Sequence, residues 1–273
     1  MGIINVSAES FYQDSIKTTT KDIALTAKTM ERDGANIIDV GAMSTAPYLD
    51  TVISAEEEIL RMSHAIRIIK KNCNLPISID TPRAVVAKEA IGLGVEAIND
   101  ITGLKYDEDM AYVIAESKLP VIVGAYNIRN DKESLQQWAG GTITGTKKLI
   151  RESLSIARVA KIKDDNVIVD PCVGFFRSEG KNPFFTVMKE YPWYIRDLEV
   201  ISGLEQLRTF SNQICVSVSR KSFIGRLLTI KPEDSLIPSI ASEIICVRKG
   251  AKLIRTHDVK ETVQALLISE LIN

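Results

Sequence analysis

Eight short runs rich in β-branched residues recur along the chain, and no other feature restricts its fold as tightly. They are Ile3 to Val6, Ile37 to Val40, Ile77 to Asp80, Ala97 to Asn99, Val121 to Val123, Val167 to Asp170, Ile214 to Val218 and Leu253 to Arg255. Short apolar runs bounded by turn residues read as buried strands. Helical stretches separate them. Residues 81–94 offer Thr81 as N-cap, Pro82 at the first helical position and Gly92 or Gly94 as terminator. Residues 20–34 offer Thr20 as cap, an apolar face of Ile23, Ala27 and Met30, and Gly34 at the end. Strands alternating with helices pair in parallel through right-handed crossovers. Eight such units in 273 residues match an α/β fold of the (β/α)8 TIM barrel type, for which roughly 250 residues is typical. One domain over residues 1–273 is expected. The competing architecture, an open doubly wound sheet, lacks here the GxGxxG loop after its first strand. Because the first strand starts at residue 3, whatever covers the barrel floor is short or comes from elsewhere.

A hydrophobic content of 45% supplies an ample core. With 34 Lys+Arg against 35 Asp+Glu and no sustained basic stripe, nucleic acid is excluded as a partner. No apolar run approaches the roughly 20 residues of a membrane span and no leader pattern is seen, which points to the cytoplasm. Cys73, Cys172, Cys215 and Cys246 form no CxxC pair and read as buried small hydrophobes. Only two histidines occur, which disfavours a zinc hydrolase, and His64 falls on the surface of a helical pattern over 55–71.

Polar groups stand at or beyond the strand ends: Asn5, Asp39, Asp80, Asn99, Asp100, Asn127, Asp170, then Ser219, Arg220 and Lys221, then Arg255 and His257. A lone Asp or Asn there often just caps the next helix. Successive strands delivering such groups to one rim mark a site, since barrels assemble their active sites at that end. Asp80, Asn99 and Asp170 suit the edge of a flat heterocycle such as a pterin or purine. Lys221, Arg255 and His257 form a cationic group suited to an anionic leaving group. Acids on one side and cations on the other imply group transfer with a departing phosphate or pyrophosphate. Asp39 either braces the second loop or touches substrate. The polar, glycine-rich residues 128–145 read as a surface loop or lid.

Several segments together resemble one family: 2-GIINVSAESF-11, 37-IIDVGAMSTAP-47, 77-ISIDT-81, 98-INDITG-103, 168-IVDPCVGFF-176, 219-SRKSFIG-225 and 254-IRTHDV-259. The resemblance is to dihydropteroate synthase. It implies a TIM barrel that joins 7,8-dihydropterin-6-ylmethyl diphosphate to p-aminobenzoate, with Mg²⁺ assisting release of pyrophosphate. By this resemblance Asp80, Asn99, Asp170 and Lys221 hold the pterin, with Asp80, Asp170 and Lys221 serving catalysis. Asn5, Arg255 and His257 hold the diphosphate, and Asn5 its Mg²⁺. Phe175 and Ser222 border the arylamine, and Asp39 and Thr45 complete the substrate contacts. A homodimer through late helices, including the apolar face of 238–250, is implied as well.

The chain also departs from the family pattern. Ala46 stands where the second loop usually has arginine, Gln13 followed by Asp14 where the first loop has aspartate, Cys172 for glycine, and Phe176-Arg177 for Gly-Lys. The pterin half is kept and the arylamine half rebuilt. An archaeal-type synthase of a methanopterin pathway, whose arylamine carries a ribofuranosyl 5-phosphate, would account for this, with Arg177, Lys181 or Arg220 meeting the phosphate. The alternatives are a corrinoid-type pterin-dependent methyltransferase and a non-catalytic pterin-binding protein.

Overall fold

The β-branched runs become a ring of parallel strands. The structure is a computed structural model that describes residues 1–7, 19–47, 51–127, 142–189, 191–211 and 213–272. Six strands, β1 (Gly2–Asn5), β2 (Ile38–Gly41), β3 (Ile77–Asp80), β4 (Ala97–Asp100), β5 (Val121–Gly124) and β6 (Val167–Asp170), pair in chain order. A small parallel pair, β7 (Phe176–Arg177) and β8 (Thr186–Val187), lies outside the ring in the loop after β6. The strands β9 (Cys215–Val216) and β10 (Leu253–Ile254) pair with each other in parallel. Single parallel bridges, Val169 to Ile214 and Gly2 to Thr256, join this pair to β6 and to β1. Val169 N donates to Gln213 O, Ile3 N to Thr256 O and Thr256 N to Met1 O, at 3.0 to 3.1 Å. The barrel is thereby closed.

Alternation along the strands sorts their side chains. In β5, Val121 and Val123 join the large core under the helices, whereas Ile122 packs with Met1 and Cys215 in a separate cluster flanked by Ile37, Ile168 and Leu253. These residues sit at the N-terminal ends of their strands, so this cluster fills the lower barrel, the place where the sequence leaves the floor unaccounted for. At the upper end the register aligns Asn5 with Gly41, Gly41 with Asp80, Asp80 with Asn99, and Gly124 with Asp170. Parallel pairing thus gathers polar residues from distant segments on one rim.

The helices are α1 (Thr20–Arg32), α2 (Ala55–Asn72), α3 (Ala84–Gly92), α4 (Met110–Ser117), α5 (Thr142–Val159), α6 (Trp193–Ser202), α7 (Ser222–Leu228), α8 (Leu236–Arg248) and α9 (Val259–Leu271). Two expected caps are corrected. Thr19, not Thr20, caps α1, its side chain accepting from Asp22 N. Thr81 is not the N-cap of α3: its hydroxyl donates to Glu58 Oε1 at 2.6 Å and accepts from Arg83 N at 3.3 Å, and the helix starts at Ala84, whose N–H is met by Asp107 Oδ2 at 2.8 Å. The buried Glu58 carboxylate on the neighbouring helix takes both the Thr81 hydroxyl and, at 2.7 Å, the Arg83 guanidinium, which fixes the turn just before the helix begins. Of the expected loop over 128–145, residues 142–145 are the first turn of α5, and 128–141 lie outside the described residues. All four cysteines are free and buried, and His64 is exposed.

Candidate active site

Register alone does not fix the charges on the rim. Arg255 leaves β10 and reaches into the ring, where Nη2 donates to Asp39 and, at 2.8 Å, to Asp80 Oδ2. Asn99 Nδ2 donates to the same Asp39 oxygen at 3.2 Å. Asp39 is thus fully buried at the base of the cleft as the partner of Arg255 and Asn99, and no backbone N–H among the described residues donates to it. Two carboxylates share one guanidinium. Asp39 Oδ1, Asp80 Oδ1 and Arg255 Nε have no hydrogen-bond partner among the described residues. Each such orphan costs about 1–3 kcal/mol when buried, so the cluster holds unused donors and acceptors for a ligand. Burial pushes the Asp80 carboxyl up, against the pull of Arg255 and helped by Asp39. The expected separation of acids from cations is thus corrected: Arg255 is interleaved with the acids, because a guanidinium is what makes their burial tolerable.

The other cations come from the turn after β9. Lys221 is the N-cap residue of α7, and its Nζ lies 4.0 Å from the centroid of the Phe175 ring. Burial, seconded by the Arg255 charge, brings the Lys221 ammonium down to about 8. His257 accepts this order differently. Its ring Nδ1 is 3.1 Å from Ser219 Oγ and its backbone N–H donates to the same oxygen at 3.2 Å. Burial together with Lys221 and Arg255 pushes its pKa down to about 3, so the expected cationic histidine is a neutral imidazole here. Arg220, with φ +54°, turns away from the cleft: it makes a bidentate pair with Asp258 at 2.7 and 2.9 Å and donates to Pro232 O.

One cleft is lined by Asn5, Thr45, Ala46, Asp80, Phe175, Arg177, Lys221, Ser222, Arg255 and His257 among others. Asp39, Asn99 and Asp170 lie behind that lining. Asp170 Oδ1 accepts from Cys172 N at 2.7 Å, and burial raises its carboxyl. Asp100 turns inward to its own loop, taking Thr102 N and Leu104 N at 2.8 Å. Asn127 N donates to Thr186 Oγ1 at 3.0 Å. Gln13 and Asp14 lie outside the described residues.

Sequence reasoning passed over the residues that hold the loop after β6. Arg196 and Asp197 on α6 are fully buried. Arg196 donates to Pro171 O at 2.7 Å and Cys172 O at 3.2 Å, pairs with Asp197 at 3.1 Å, and lies 3.5 Å over the Phe176 ring. Asp197 Oδ2 accepts from Gly174 N at 3.0 Å. The signal was present: Arg196 and Asp197 are helical neighbours of the apolar, buried Val200 and Ile201. Across the cleft mouth the same loop clasps the one after β2. Lys181 N donates to Pro47 O at 2.8 Å and Asn182 Nδ2 to Ala46 O.

The profile of the pterin binding enzyme family matches residues 1–257. The dihydropteroate synthase of Clostridium beijerinckii is 35% identical over 100% of this chain and 93% of its own length. That of Bacillus subtilis is 37% identical over 96% and 84%. The chain belongs to the dihydropteroate synthases. Solved structures of the family agree. A synthase from Clostridium difficile, determined in the presence of pteroic acid, matches with a TM-score of 0.81 at 31% identity, covering 100% of this chain and 95% of that one. One from Yersinia pestis in a sulfonamide complex matches at 0.84 and 28%, covering 100% and 92%. The synthase is a transferase with the TIM-barrel fold of its family. Among its described residues no helix is long and apolar enough to cross a membrane.

Proposed function

We propose that this chain condenses 7,8-dihydropterin-6-ylmethyl diphosphate with p-aminobenzoate, as a single barrel domain over residues 1–273. The observation that carries the reading is the buried Asp39–Arg255–Asp80 cluster with its orphaned atoms beneath the cleft. A pterin edge of alternating N–H and carbonyl groups matches that set of acceptors and donors. Solved relatives were determined in complex with pteroic acid or with p-aminobenzoate, which supports the same substrate pair here.

In the reaction the methylene C–O bond breaks with its electron pair leaving on pyrophosphate. The amine nitrogen then forms the new C–N bond and gives up a proton. Asp80 and Asp170 favour positive charge developing on the pterin, while Lys221 and Arg255 favour the departing anion. His257, neutral before substrate arrives, donates through its ring N–H and gains proton affinity once an anion stands beside it. Phe175 supplies an aromatic wall for the amine. Mg²⁺ would neutralise charge on the diphosphate. Asn5 fits as its protein ligand: its side-chain oxygen lies 3.3 Å from where a Cβ on Gly41 would stand and it lines the cleft. One hard oxygen donor suffices for an ion that otherwise keeps water and substrate phosphate as ligands.

A cytoplasmic homodimer completes the proposal. Ile237 and Ile245 on α8 and Leu271 on α9 are exposed, and pairing of two copies would cover them. Sedimentation of the purified protein at a monomer's mass would remove this part alone. The test of function is pyrophosphate release from the pterin diphosphate with Mg²⁺, with and without amine. Amine-dependent release is expected. Pterin binding without release under any condition would leave a binding protein, and methyl transfer from a methylated tetrahydropterin would make the chain a methyltransferase.

A further inference from the structure

Of the three cations the sequence offers to the rebuilt end of the cleft, one reaches it. Arg220 is committed to Asp258, and Lys181 is exposed and meets Pro47 through its backbone. Arg177 lines the cleft together with Thr45, Ala46 and Ser222 and is 7% exposed. It does not sit there as a loose surface side chain. Its carbonyl accepts from Met188 N at 2.7 Å, and β7 pairs with β8. Its guanidinium carbon is 3.7 Å from the Trp193 ring centroid, Nη1 donates to Phe176 O, and Nη2 donates to Ser222 Oγ. Two residues earlier, Phe175 carries Lys221 Nζ 4.0 Å over its ring centroid. Two cations, Lys221 over Phe175 and Arg177 over Trp193, therefore stand at this end of the cleft, while the orphaned acceptors of Asp39 and Asp80 belong to the other part of the site. A cleft so polarised sorts a ligand whose two ends differ in charge.

We propose that Arg177 recognises an anionic group carried by the arylamine and sets the enzyme's preference for a charged amine over a neutral one. The inference rests on the condensation reading above and adds a specificity residue to it. A planar guanidinium meets a carboxylate or a phosphate through two parallel hydrogen bonds, which a lysine does not reproduce. Stacking on Trp193 and the β7–β8 pairing order Arg177 before the ligand arrives, so little side-chain freedom is lost on binding. Partial burial strengthens the attraction beyond that of an exposed pair. The small Ala46 leaves this role to a residue from the opposite loop.

Amine preference in R177Q and R177K tests the idea. Pyrophosphate release is measured with p-aminobenzoate, with its neutral amide 4-aminobenzamide, and with the ribofuranosylaminobenzene phosphate. The wild type is expected to favour a charged amine over the amide by about 10–100-fold in kcat/KM, the worth of a charge-assisted pair. Whichever anion is favoured, carboxylate or phosphate, identifies the natural group. R177Q should reduce the preference to within about 3-fold, with KM for the pterin diphosphate unchanged, and R177K should keep part of it. Equal losses with the charged and neutral amines would reduce Arg177 to a brace for Ser222 and overturn the proposal. A raised KM for the pterin diphosphate with the preference intact would assign Arg177 to the diphosphate and overturn it too. Calorimetric titration of p-aminobenzoate and its amide into both proteins reads the preference without turnover. An inactive protein that still prefers the anion through Arg177 would lose the condensation reading and keep this one.

Discussion

At the scale of single residues, the unequal count of two buried acids to one guanidinium dominates. Arg255→Ala would leave Asp39 and Asp80 buried without a cation, and breaking such a cluster costs about 3–5 kcal/mol. Urea titration should show that loss, and adding Asp39→Asn to the variant should recover part of it. An unchanged midpoint in the single variant would mean that the acids are protonated and need no partner. Lys221 makes the second prediction. With its pKa held at about 8 by burial, the ammonium form is present below that pH, so kcat/KM should fall on an alkaline limb near 8. Lys221→Arg should move the limb beyond pH 10. The stability sign follows from the same shift. The folded pKa lies below the unfolded one, so the penalty is fully present below pH 8 and fades as pH rises toward 10.5. Lys221→Met should therefore melt roughly 2–4 °C above wild type at pH 7 while losing turnover. A limb that persists near 8 in Lys221→Arg would assign it to another group.

At the scale of elements, the loop after β6 is the part most in need of support. It bears Asp170, Phe175 and Arg177, and it passes through left-handed backbone at Cys172, φ +55°, and Gly174, φ +86°. Non-glycine residues hold such a conformation only where surroundings enforce it, and α6 does so through Arg196 on two carbonyls and Asp197 on Gly174 N. Asp197→Asn keeps the shape and removes the charge that Arg196 meets. It should cost about 3 kcal/mol and lower kcat more than it raises either KM, since the loop misplaces catalytic groups rather than losing a contact. Loss of stability with wild-type kcat would show that the loop holds its shape without α6. Gly174 has a further constraint: a Cβ there would stand 2.8 Å from Lys221 Cδ, so backbone and catalytic side chain are adjusted to each other.

At the scale of the whole molecule, the ring is not equally strong all round. Strands β1 to β6 pair over several residues each, whereas β9 and β10 are two residues long and join their outer neighbours by single bridges. Opening such a seam breaks few hydrogen bonds. Amide exchange of Ile3 and Val169, whose N–H groups cross the two seams, should be faster than that of Ile79 and Ile98 at the middle of the sheet. Equal protection would show that the helices outside, rather than the strand pairing, hold the barrel shut. The division also separates the site residues, for the well-paired β3 and β4 carry Asp80 and Asn99 while the weaker strands lead to Lys221, Arg255 and His257.

Much of this was written in the sequence, because what it encodes is local. Strand and helix periodicity, and the polar residue at each strand end, follow from neighbours two to four residues apart. That is why the eight strands, the rim and the buried cysteines could be read without coordinates. The charge state of the rim could not. Asp39 and Arg255 are 216 residues apart, and only closure of the ring brings them together, buries them and makes His257 neutral. The turn before α3 is set by a tertiary partner, since the buried Glu58 takes both Thr81 and Arg83. Arg177 faces the cleft for the same reason: β7, Trp193 and Ser222 meet around it only when the barrel is folded. Chain-local patterns determined which groups the rim would hold, and burial in the closed barrel decided what charge each carries and which of them a substrate can reach.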